Sequence, residues 1–195
     1  MALNFEYPTG ATPLDLDEAA GLIPRHIDNH GQLNEWELVN IVKGEQWAFG
    51  RKRADLLSND FICKLHKRMF GETWRWAGAF RNTEKNIGID PARIQSALLD
   101  LCADVKTQVE FQSLPLDEIA ARFSHRLVLI HPFANGNGRL SRTAADLMLV
   151  QHGAPRFTWG AAGLARDGDA RQRYLEALRV ADTKDYSLLL AFVRS

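Results

Sequence analysis

Pro132 constrains this chain more than any other residue. From Pro115 onward Ile119, Phe123, Leu127 and Ile130 recur at helical spacing, the pattern of a helix with one buried face. Proline has no backbone N–H, and it disfavours the α region for the residue before it. The helix must therefore end at His131. Helical spacing resumes from about Gly138, runs through Val150 and closes near Gly153. Any fold for this chain has to join two buried helices through a short glycine-bearing loop.

The remaining segments read mostly as helix. Thr12-Pro13 offers an N-cap and a first-turn proline for a helix from Leu14 to about Ala20, after an irregular arm through Gly10. Asn34 is a candidate cap for a second helix to about Phe49, with Glu35 and Glu37 as acids suited to its start. Ser58 caps a third, in which Phe61, Ile62, Leu65, Met69 and Phe70 recur before Gly71. Between Ala79 and Asp90 the period changes, and Phe80, Ile87 and Ile89 flank a polar stretch that predicts a small hairpin. Pro91 opens a helix to about Phe111, and two more follow at about Asp167–Val180 and Lys184–Val193. The expected fold is all-α with a small β-hairpin flap. One domain over 1–195 is expected, with an arm and helices at about 1–57 preceding a core at about 58–195.

Composition narrows the function classes. Lys plus Arg number 24 and Asp plus Glu number 24, so the chain lacks the basic excess of a general nucleic-acid binder. The 46% hydrophobic and 25% charged content is that of an ordinary globular protein. The longest dense apolar run, Leu127 to Ile130, is far short of the roughly 20 residues a membrane span needs. The start at Met1 lacks the basic and apolar segments of a secretory signal. Cys63 and Cys102 fall in apolar-periodic segments and read as core thiols. Together these features predict a cytoplasmic protein with no membrane and no nucleic-acid partner.

Chemistry concentrates in His131-Pro132-Phe133-Ala134-Asn135-Gly136-Asn137-Gly138-Arg139-Leu140-Ser141-Arg142. A buried helix delivers His131 at its C-terminal end, a position for a base. Gly136 and Gly138 let the backbone turn tightly and approach a ligand. The unpaired N–H groups at the start of the following helix attract anions, and Arg139 and Arg142, three apart, share a face there. Base, anion cradle and two guanidinium groups point to a phosphate-bearing substrate. A simple turn with Arg142 paired to Asp146 is the plainer alternative, and it requires all these residues to coincide by chance.

This stretch resembles the signature loop of Fic-domain (Fic/Doc) proteins: His-Pro-Phe, any residue, Asp or Glu, Gly-Asn-Gly-Arg, two residues, Arg. It matches every fixed position except the acidic one, which is Asn135. Trp76-Ala77-Gly78 with Arg81 and the Ile87–Ile89 segment resemble the family's flap. Arg173-Tyr174 and the stretch from Ala181-Asp182 to Phe192 resemble its C-terminal end. The resemblance is strongest to the short bacterial members called mobile mystery protein B. It implies a protein adenylyltransferase that moves AMP from ATP to a Ser, Thr or Tyr hydroxyl of a target protein.

Carried over residue by residue, His131 is the general base, and Gly136, Asn137 and Gly138 form the anion hole, with Asn137 adding a side-chain donor. Arg139 and Arg142 bind the β- and γ-phosphates. Asn86, Ile87, Gly88 and Ile89 pair with the target, and Tyr174 and Asp182 line the adenine pocket. The resemblance also implies Mg²⁺ or Mn²⁺, with binding weakened because Asn135 replaces a carboxylate by an amide. Many relatives carry an inhibitory glutamate that pairs with the second motif arginine. Glu35 and Glu37 are the candidates here, reaching Arg142. Control by an antitoxin or by self-modification is a further implication.

Two rivals remain open at the level of sequence. One is a Doc-like phosphotransferase; the other is a nucleotide- or protein-binding module whose catalysis is lost through Asn135. A metal hydrolase fits poorly, since no His-Glu-x-x-His or paired-cysteine spacing occurs. His26, His30, His66 and His152 are expected at the surface or at element ends.

Overall fold

The computed structural model describes residues 12–161 and 168–195. The arm through Gly10, and Asp167 as a helix start, lie outside them. Among the described residues the order is α1 (Leu16–Ala19), α2 (His30–Phe49), α3 (Asn59–Phe70), a 3₁₀ turn (Pro91–Arg93), α4 (Ile94–Glu110), α5 (Leu116–Ile130), α6 (Asn137–Gln151), α7 (Asp169–Asp182) and α8 (Ser187–Val193). The all-α expectation is met.

Caps explain most of the boundaries. Ser58 accepts the Phe61 N–H ahead of α3, and Gly71 follows its last residue. Asp90 caps the 3₁₀ turn that Pro91 opens. Two expected caps move. Asp15, not Thr12, begins α1, because Asp15 and Glu18 form a reciprocal capping box. Asn29, not Asn34, begins α2: its side chain accepts the Gln32 N–H and lets the helix start about one turn earlier.

The core lies between α3, α4, α5 and α6. Leu65, Met69, Leu98, Leu101, Phe123, Leu127, Leu140 and Met148 are all inaccessible to solvent. Each large apolar side chain so buried contributes roughly 1.5–3 kcal/mol. Ala120 and Ala121 on α5 and Ala144 and Ala145 on α6 are equally buried. Their small size suits the close packing of α5 against α6, the pair that carries the loop. α2 packs on α3, α4 on α5, and α7 on α8. Burial pushes the Cys63 and Cys102 thiols up to about 11, so both are inert at neutral pH.

The expected hairpin does not form. Residues 79–90 run as an irregular loop, and among the described residues β-type pairing is confined to the isolated antiparallel bridge between Leu22 and Trp74. The physical reason is Arg81. Its buried guanidinium donates to the carbonyls of His131 (2.6 Å), Thr83 (2.7 Å) and Ile89 (2.5 Å), so a side chain satisfies oxygens that strands would have paired. Its own N–H donates to the Pro132 carbonyl at 2.9 Å. The loop is thereby tied to the end of α5.

Candidate active site

His131 takes the C-cap of α5 in the left-handed conformation (φ 51°, ψ 59°). Pro132 excludes another helical turn, and this conformation costs a non-glycine residue roughly 1–3 kcal/mol. It turns the imidazole off the helix line. The ring is buried at 6% exposure. Nδ1 lies 3.3 Å from the Val128 carbonyl, which can only accept, so the proton is assigned to Nδ1. Nε2 is then a lone-pair acceptor. Desolvation, with Arg81 and Lys85 nearby, holds the imidazole down at about 4 against the Val128 contact. His131 is neutral at physiological pH.

The loop beyond it is fixed by its own side chains. Asn137 accepts the Phe133 N–H at 2.9 Å and donates to the Phe133 carbonyl at 2.8 Å. One of the two N–H groups of the Asn137 amide is thus engaged within the loop, and the other keeps its capacity to donate. Gly136 sits at φ 80°, where an added Cβ would stand 2.7 Å from the Phe70 ring. Glycine is required there on both counts. No side chain caps α6, so the first-turn N–H groups keep their capacity to bind an anion.

Arg139 and Arg142 rise from that first turn. Arg139 donates to Glu37 at 2.5 Å and to the Asn135 oxygen at 3.2 Å, with its guanidinium over Phe70. Glu37, on α2, is buried and also accepts the Trp74 indole N–H at 2.7 Å. The expected contact between Glu37 and Arg142 is thus corrected to Arg139. Glu35 is exposed. Arg142 lies over the ring of Tyr174 at 5.5 Å. Asp146, the alternative partner for Arg142, is engaged elsewhere. It accepts from the Phe157 N–H and the Trp159 indole.

Tyr174 and Asp182 make separate contacts. Eight residues apart on α7, they are separated by about 12 Å along the axis. Tyr174 is buried beside Arg142, whereas Asp182 bonds His125 at 2.9 Å. The 86–89 segment divides as well. Asn86, Ile87 and Gly88 are exposed, while Ile89 is half-buried with its N–H on Ile130 and its carbonyl on Arg81. Gly88 (φ 113°) lies against His131: a Cβ there would stand 2.7 Å from the His131 Cβ.

Three residues have roles at the site that the sequence did not show. His66, expected near the surface, is fully buried and stacked on Phe133 at 3.9 Å. It accepts the Gly78 N–H on Nδ1 and donates from Nε2 to the Asn135 carbonyl, and burial holds its imidazole down at about 3. Its place among Phe61, Leu65 and Phe70 on the apolar face of α3 was the available signal. Arg81 organises the irregular loop. Thr12 is the third: its hydroxyl lies 3.1 Å from His131 Nε2, and its carbonyl accepts from the Asn135 amide at 3.3 Å.

A segment preceding α1 therefore straps across the site. Glu18 of α1 accepts from Lys85 and from the Thr83 hydroxyl, and Asp15 lies 3.5 Å from Lys85. The Trp76 indole donates to the Glu18 carbonyl at 2.9 Å.

Residues 56–149 match the Fic/DOC family. The chain is 29% identical over 148 residues to the protein adenylyltransferase fic-1 of Caenorhabditis elegans, covering 73% of this chain and 27% of that protein. It spans about a quarter of the length of that curated relative. The N-terminal Fic domain of a Bartonella quintana Bep effector, solved with bound ADP, superposes with a TM-score of 0.67 at 18% identity, covering 87% of this chain and 86% of that one. BepC of Bartonella tribocorum, solved with bound AMPPNP, gives 0.66 at 17% identity, over 92% and 97%. At these identities the superpositions speak for the fold. Among the described residues no helix is long and apolar enough to cross a membrane.

Proposed function

Because this chain belongs to the Fic/DOC family, we propose that it is a protein adenylyltransferase that moves AMP from ATP to a Ser, Thr or Tyr hydroxyl. The observation that carries this reading is the pairing of a neutral His131, its Nε2 lone pair facing a hydroxyl, with the uncapped start of α6. The acceptor oxygen attacks the α-phosphorus as its proton passes to Nε2. The bond from the α-phosphorus to the bridging oxygen breaks, and pyrophosphate leaves. The α6 N–H groups and Arg142 oppose the phosphate charge, and Arg139 joins them once it leaves Glu37. The exposed Asn86–Gly88 backbone is where an extended target segment would lie.

The residues present do not build a cage for a divalent cation. The Asn135 oxygen is uncharged and accepts from the Gly136 N–H and Arg139. Among the described residues no group of three or more His, Cys, Asp or Glu stands together. A cation supplied with the triphosphate would be held chiefly by phosphate oxygens. The two inert thiols suit a reducing cytoplasm, where we place the protein.

The test is incubation of the full chain with each nucleoside triphosphate, Mg²⁺ or Mn²⁺ and cell lysate, with modification read by mass spectrometry. AMP on protein hydroxyls, lost in His131→Ala, is the expected result. Phosphate in place of AMP would instead mark the enzyme as a phosphotransferase.

A further inference from the structure

We propose that Thr12 is an acceptor for the chain's own transfer reaction, an intramolecular adenylylation site; this rests on the adenylyltransferase reading of the same centre. The Thr12 hydroxyl occupies the place the mechanism reserves for a substrate hydroxyl. It lies 3.1 Å from the lone pair of His131 Nε2. Among the described residues no other hydroxyl is hydrogen-bonded to that ring.

The placement is built from several directions. Thr12 is 9% exposed, so its position is not that of a stray surface side chain. Pro13 fixes the backbone just beyond it. The capping box of α1 and the Glu18 contacts with Lys85, Thr83 and Trp76 hold the segment against the 79–90 loop. Asn135 supplies the remaining hold, donating its amide N–H to the Thr12 carbonyl. An ionised carboxylate at position 135 has acceptors only and could not make this bond. The one departure from the signature loop is thus the residue that fastens the strap.

In the step itself the bond from Thr12 Oγ1 to the α-phosphorus of ATP forms while the bond to the β-phosphate's bridging oxygen breaks. Pyrophosphate leaves with that electron pair, and the Thr12 proton passes to His131 Nε2. No oxidant or further reactant is needed.

The experiment uses the full-length chain with ATP and Mg²⁺ or Mn²⁺, alone and with lysate, read by intact mass and by fragment mapping. One AMP on Thr12 is expected, at a rate that does not change as the protein is diluted. Thr12→Val loses this label, Thr12→Ser keeps it on the serine, and His131→Ala loses it. The serine variant, with a thermal melt of each protein, separates loss of the acceptor from loss of the fold. AMP on lysate proteins but none on residue 12 overturns this inference and leaves the adenylyltransferase reading standing; the strap is then a plug. No AMP on any protein, or phosphate in its place, overturns both.

Discussion

The joint between α5 and α6 and the strap before α1 meet at His131, yet they are held in different ways. The joint is made by neighbours in sequence. Pro132 ends α5, Asn137 clasps Phe133 four residues back, and Gly136 turns the chain into α6. The strap is made by partners far away: Thr12 bonds a residue 119 positions on, and Glu18 meets Lys85 across 67. Local closure costs little loop entropy and survives small perturbation, whereas distant polar contacts open singly. A rigid centre under a releasable cover is the result.

The two regions should part company under mutation. His131→Ala strikes the centre hardest. Removing the proposed general base should cost about 10²–10⁴-fold in transfer, and rates with saturating ATP measure it. Acid strains the same region. The folded values of His131 and His66 lie below the ordinary histidine value of about 6.5, so the unfolded chain binds more protons as pH falls below it. Their contribution is complete above about 6.5 and is lost as pH drops towards 4 and below. Urea unfolding at pH 5 should show a loss on the order of 2 kcal/mol for each buried ring relative to neutral pH.

Smaller effects follow. Gly136→Ala meets both a positive φ and the Phe70 ring, and should lower stability by about 1–3 kcal/mol while weakening ATP binding in calorimetry. Lys85→Met removes the partner of two carboxylates on the strap side. A drop of about 1–2 kcal/mol in unfolding is expected, with transfer to added protein rising as labelling of residue 12 falls. A centre that loses activity along with the strap would break the distinction. Asn135→Asp is the mildest change: it frees the Thr12 carbonyl and restores a metal-binding charge, so Mg²⁺-dependent transfer to other proteins should rise severalfold in a labelled-ATP assay.

The same division governs what could be read from the chain. Helices α3 to α6 follow from apolar spacing, Ser58, Pro91, Pro115 and Pro132, because each boundary is decided within a few residues. The loop residues His131, Gly136, Arg139 and Arg142 were legible for the same reason. The 79–90 segment was misread as a hairpin because Arg81, a side chain, supplies the hydrogen bonds that alternation leads one to expect from a second strand. Thr12 looked like a helix cap because its pairing with His131 leaves no local trace. His66 was judged by its polarity, although Gly78 and Asn135 satisfy both of its nitrogens inside the core. Asp182 was named from a resemblance, and its bond to His125 had no signal in the sequence.

The contact between Glu37 and Arg139 has a thermodynamic corollary. The guanidinium that docks α2 is the one assigned to a phosphate in the proposed transfer reaction, and its N–H groups already bond Glu37 and Asn135. Linkage is reciprocal: whatever free energy α2 subtracts from nucleotide affinity, the nucleotide must subtract from the attachment of α2. A ligand arriving at the start of α6 would then be felt on the far side of α2, where Leu38, Val39 and Val42 face solvent.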